Sequence, residues 1–160
     1  MSATLAREVG RLLREHGLTL SVAESCTGGR LGDALTNVSG SSDYFLGGII
    51  SYSNDAKVSL LGVRRATLAK VGAVSAEVAK QMATGVRRRL RTSIGVGITG
   101  VAGPTGGTKA KPVGLVYIAV SSGKKTAVSK NLFTGNRSQV KSQTVARALQ
   151  MVAEFLEREF

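Results

Sequence analysis

The feature that most restricts the fold is a recurrent order along the chain: a short apolar run rich in β-branched residues, then glycine or small polar residues, then a segment with apolar residues at helical spacing. Leu5, Val9, Leu12 and Leu13 share one helical stripe that Gly17 can end, and residues 18–23 then suit a buried strand. A short helix fits residues 30–36. A second strand fits 44–52, where Gly47 and Gly48 mark a bulge or a close backbone approach. Ser53 or Asn54 can cap a helix that Gly62 ends, and another short helix fits 64–70. Ser75 caps the longest central helix, in which Val78, Met82, Val86 and Leu90 recur every four residues while Ala79 and Ala83 widen the stripe.

Residues 93–98 form a third strand so poor in side-chain volume that a helix or another backbone can approach it closely. Residues 115–120 and 126–133 pair through a short turn, adding an antiparallel element, and a last helix begins near Asn136 with Val145, Ala148, Leu149, Val152, Phe155 and Leu156 on one face. Alternation of helix and strand followed by a hairpin predicts a three-layer α/β/α sandwich with a mixed sheet of about five strands, built as one domain over residues 1–160.

Composition removes several alternatives. With 42% hydrophobic and 20% charged residues the chain is too mixed to read as disordered. Cys26 is the only cysteine and His16 the only histidine, so no disulfide framework is available and the usual Cys/His metal sites lack ligands; no metal and no cofactor are expected. His16 falls at a helix end, where a local capping role outweighs catalysis. The apolar runs are too short to span a membrane, and the first residues lack the order of a secretory signal, so the expected location is cytoplasmic. The net charge of +12 would suit nucleic acid or a phosphorylated small molecule. The densest basic run, residues 87–91, has no aromatic neighbour on which bases could stack, and it reads first as a solvated helix face, with nucleic-acid binding the lesser expectation.

Three loops can carry chemistry. In the first, Ser25, Cys26 and Thr27 leave a buried strand, and Gly28 and Gly29 let the backbone approach an anion or an oxyanion; a plain tight turn would also explain the glycines. Neither the phosphate-binding lysine pattern nor the dinucleotide spacing is present. In the second, Ser53 and Lys57 share a helical face, and with His16 remote a serine–lysine pairing is the economical hydrolytic arrangement, against a simply solvated lysine. The third, residues 99–114, is rich in glycine; its backbone donors, Thr99 and nearby lysines could meet a ribose or phosphate, or the segment could be a structural connection.

The motifs AESCTGG (23–29), FLGGIISYSNDAK (45–57), GAVS (72–75) and TGVAGPTGG followed by KPVG (111–114) occur together over almost the whole chain. In this order and spacing they resemble the CinA C-terminal domain family, and within it the stand-alone nicotinamide mononucleotide amidohydrolases. That resemblance implies hydrolysis of nicotinamide mononucleotide to nicotinic acid mononucleotide and ammonia, with Ser25 as nucleophile and Lys57 as its base. It also implies pocket roles for Tyr52 and Thr99 beside the Thr27, Gly28 and Gly29 loop, a phosphate-facing Arg137, and a homodimer. Asn136 stands where an acidic residue is frequent, a departure that bears on how Arg137 is positioned. Longer family members carry an added N-terminal domain, whose activity is not expected of these residues. Cys26 is an alternative nucleophile, and a noncatalytic nucleotide-binding or DNA-uptake-associated protein is an alternative class.

Overall fold

A computed structural model describes residues 1–160. Its elements are α1 (Ser2–His16), β1 (Leu20–Glu24), α2 (Arg30–Thr36), a 3₁₀ turn (Ser41–Asp43), β2 (Phe45–Ile50), α3 (Asn54–Leu61), α4 (Arg65–Val71), α5 (Ala76–Leu90), β3 (Ile94–Gly100), β4 (Leu115–Ser121), β5 (Thr126–Leu132) and α6 (Arg137–Glu159). The five strands form one sheet in the order β2-β1-β3-β4-β5, parallel across its first three members and antiparallel over β4 and β5. This is the mixed α/β/α sandwich that the residue pattern implied.

Alternation along the strands sets the layers. Leu20 and Val22 of β1, Val96 and Ile98 of β3 and Ile118 and Val120 of β4 bury against α1, α2 and α6 in the main apolar cluster. Ala23 and Ala119 turn to the opposite face, where Val78, Ala79, Met82, Ala83 and Val86 of α5 cover them. Beneath α5, β3 offers two glycines on that face: a Cβ at Gly95 would lie 2.2 Å from the Ala83 carbonyl oxygen, and one at Gly97 2.3 Å from that of Ala79. Helix and strand therefore touch main chain to main chain, the close approach anticipated from the narrow third strand.

Strand ends differ from the sequence-based limits for identifiable reasons. Residues 18 and 19 are spent elsewhere, Leu18 N–H bonding to Leu13 O at the end of α1 while Thr19 exchanges side-chain and backbone bonds with Ser93. Tyr44 closes the 3₁₀ turn through Ser41 O and is buried, so β2 begins at Phe45. The bulge falls where the register jumps from Leu20↔Phe45 to Ser21↔Gly47. No helix is long and apolar enough to cross a membrane.

The topology also dictates where a ligand can sit. From β1 the chain crosses through α2 to β2 on one side, then through α3, α4 and α5 to β3 on the other. The helices leave the sheet on opposite faces at this reversal of strand order, opening a crevice beyond the carboxyl ends of the parallel strands. Glu24 pairs with both Ile50 and Ile98, so the segments after β1, β2 and β3 start side by side at that crevice.

Candidate active site

Ser25 follows β1 directly, and its N–H bonds to Ile98 O across the sheet, which fixes its hydroxyl at the crevice floor. Lys57 enters from the first turn of α3, where the Ser53 hydroxyl accepts the Ala56 N–H and caps the helix. The Lys57 side chain is 2% exposed and its Nζ lies 3.0 Å from Ser25 Oγ. Two carbonyl oxygens hold it there, Ser51 O at 2.8 Å and Tyr52 O at 3.3 Å. No carboxylate pairs with it, and desolvation depresses its pKa below the ordinary lysine value. A neutral amine has two N–H donors and one lone pair. Nζ donates to both carbonyls and to Ser25 Oγ; a neutral amine here would keep its two donors on the carbonyls and turn its lone pair to the serine.

Cys26, next to Ser25, is 7% exposed and part of the main apolar cluster. Burial pushes its thiol pKa up to about 11, opposite to the shift a thiolate nucleophile needs.

Glu24 is occupied with structure. Its Oε1 accepts Thr27 Oγ1–H at 2.6 Å and Leu31 N–H at 2.9 Å, and Oε2 accepts Gly32 N–H at 3.0 Å, so this buried carboxylate ties the first loop to the start of α2. Thr27 is fully buried by that bond and, with Gly28 and Gly29, does not line the cleft. The backbone N–H groups of Cys26, Thr27 and Gly29 bond to no backbone carbonyl of the chain.

A cleft of about 380 Å³ opens over the serine–lysine pair. Ser25, Cys26, Lys57, Tyr52, Thr99 and Arg137 line it together, so five of the side chains singled out from sequence for chemistry, and the alternative Cys26, converge. Thr99 donates its hydroxyl proton to Ala73 O at 2.9 Å, bracing the linker before α5, and keeps its oxygen as an acceptor. Arg137 opens α6 and crosses the cleft: Nη1 donates to Gly103 O at 2.7 Å and Nη2 to Tyr52 Oη at 3.0 Å. Asn136 sets that arginine by a capping box with Gln139, in which the Asn136 side chain accepts the Gln139 N–H and the Gln139 side chain accepts the Asn136 N–H. An acidic residue is therefore unnecessary for the cap. Lys111 turns away from the cleft and donates to Val71 O at the end of α4.

Asn54, Ala73 and Val74 also line the cleft; Ala73 and Val74 carry no individual role in the sequence, and Asn54 enters there only as a candidate helix cap, a place that Ser53 takes. GAVS was visible there as a motif, but its closeness to Thr99 is a tertiary fact.

These features define a class: an α/β/α protein with a buried, carboxylate-free serine–lysine pair at the sheet's switch point, beneath a cleft that an arginine spans. The sequence matches the CinA C-terminal domain over residues 2–156. The chain belongs to the CinA C-terminal domain family. It is 52% identical over 149 residues to the putative competence-damage inducible protein of Moorella thermoacetica, covering 93% of this chain and 36% of that protein. It is 62% identical over 126 residues to the CinA-like protein of Nostoc punctiforme, covering 79% and 30%. It thus spans about a third of these curated relatives. The crystal structure of the competence damage-inducible protein A (ComA) from Klebsiella pneumoniae superposes with TM-score 0.96 at 33% identity, covering 99% of each chain. That of the competence/damage inducible protein CihA from Agrobacterium tumefaciens gives 0.94 at 40% identity, covering 98% of this chain and 95% of that one.

Proposed function

We propose that this chain is an amidohydrolase whose substrate is nicotinamide mononucleotide, converted to nicotinic acid mononucleotide and ammonia. The observation that carries the reading is the 3.0 Å approach of a buried, pKa-depressed Lys57 to Ser25. Neutral Lys57 takes the hydroxyl proton as Ser25 Oγ attacks the carboxamide carbon. The backbone N–H of Cys26, which bonds to no carbonyl and directly follows the nucleophile, serves the oxyanion. Collapse of the tetrahedral intermediate breaks the C–N bond, protonated Lys57 supplies the proton with which ammonia leaves, and water hydrolyses the resulting ester through the same base. Arg137 takes the phosphate, exchanging its bonds to Gly103 and Tyr52 for phosphate oxygens. The choice of nicotinamide mononucleotide rests on the family motifs; the chemistry rests on the pair.

The test is ammonia and nicotinic acid mononucleotide released by purified protein without added metal. Ser25→Ala and Lys57→Ala should each lower turnover by roughly 10² or more while circular dichroism stays native. Nicotinamide riboside, which lacks the phosphate, should be the poorer substrate. Absence of both products from folded wild-type protein at high concentration overturns the enzyme reading in favour of a binding protein.

A further inference from the structure

The largest hollow on the molecule lies elsewhere. A groove of about 710 Å³ runs between α3 and α5 and carries Arg64, Lys80, Arg88 and Arg89 on its walls, with no carboxylate among them. None of these four side chains joins an ion pair. The one acid of α5, Glu77, lies in an adjoining depression that shares Arg64 and Gln81 with the groove. The spacing of Lys80, Thr84 and Arg88 puts them on one face of α5, with Arg89 beside them.

The groove has a built floor. Gly85 lets α3 touch α5 directly, since a Cβ there would fall 1.9 Å from Leu61 O. The Gln81 side chain clamps the rim by accepting Arg64 N–H at 2.9 Å and donating to Thr67 Oγ1 at 2.9 Å. Four cations without an ion-pair partner thereby line one hollow, an arrangement that favours a ligand of several negative charges.

Size and lining narrow that ligand. The positions from Lys80 to Arg89 span about 14 Å of helix, enough for a short run of phosphates. No aromatic side chain is present to stack bases, and the volume is of small-molecule scale. We propose that this groove binds a small oligophosphate, free or carried by a nucleoside, with its phosphates along the Lys80–Arg89 face of α5. The site is separate from the serine–lysine cleft and independent of the activity proposed there.

Inorganic tripolyphosphate is the probe, titrated calorimetrically into the 160-residue chain at about 50 mM salt. One site per chain is expected, weakened at least ~30-fold in Arg88→Gln/Arg89→Gln and unchanged in Arg137→Ala. Adenosine triphosphate in a parallel arm distinguishes the sources: tighter binding than tripolyphosphate, lost in the same double variant, assigns a nucleoside-borne chain, and equal or weaker binding assigns the free one. All named groove cations are exposed, and circular dichroism verifies each variant. Unsaturable binding, equal affinity in the double variant, or loss in Arg137→Ala instead would overturn the proposal. So would a single-stranded oligonucleotide binding more tightly than both probes and losing that affinity in the double variant.

Discussion

At position 57 a lysine sits among oxygens with no opposing charge, and this sets the pH behaviour of the site. Burial disfavours its ammonium form, so the folded chain binds that proton less tightly than the unfolded chain does. If the neutral amine is the base, amide hydrolysis rises with pH through a limb lying below the ordinary lysine value of 10.5, as a rate profile would record. The same limb should appear in Cys26→Ala with turnover within about threefold of wild type, because the buried thiol stays protonated over that range. Transfer of the rate to Cys26 would instead abolish it in that variant.

Stability carries a matching signature. Below the folded pKa both states are protonated and the desolvation cost of Lys57 is fully present; above 10.5 both are neutral and it is gone. Wild type should therefore gain stability relative to Lys57→Met as pH rises across that interval, measured by urea unfolding at several pH values. A difference independent of pH would show that the lysine is not held depressed.

Among the elements, α6 joins packing most directly to recognition, because its first residue is Arg137 and its cap is Asn136. Asn136→Ala should cost about 1 kcal/mol in denaturant unfolding, and Asn136→Asp should restore it, since a carboxylate oxygen accepts the same N–H. The strands and the capped helices were readable because their signals are local: β-branched runs, Ser53 and Ser75 before helices, and Gly17 and Gly62 after them. The serine–lysine pairing was reached through family motifs, since 32 residues of separation leave no periodic trace. Thr27 shows the opposite limit. It lies in the right loop beside Ser25, yet its hydroxyl belongs to Glu24, a partner that only the start of α2 reveals. The α3–α5 groove was equally invisible, because the arginine run reads as a solvated face, which Arg88 and Arg89 do form, and only the Gly85 contact shows what stands opposite it.

For the molecule as a whole, the cleft depends on three strand ends staying level, and one of them belongs to β3, the middle strand of the five. Side chains packed between a helix and a sheet soften on heating as they hop among rotamers. At Gly95 and Gly97 nothing is interposed that could hop: carbonyls of α5 rest on the strand itself. The gap between these layers has almost no thermal play, and the crevice should keep its shape up to the temperature at which the sheet separates. Heat inactivation of the proposed amidase would then follow the calorimetric unfolding transition, within about 2 °C at matched scan rate, without an earlier loss. A catalytic midpoint well below the calorimetric one would mean that the loops melt on their own, and that the glycine contact does not govern the cleft.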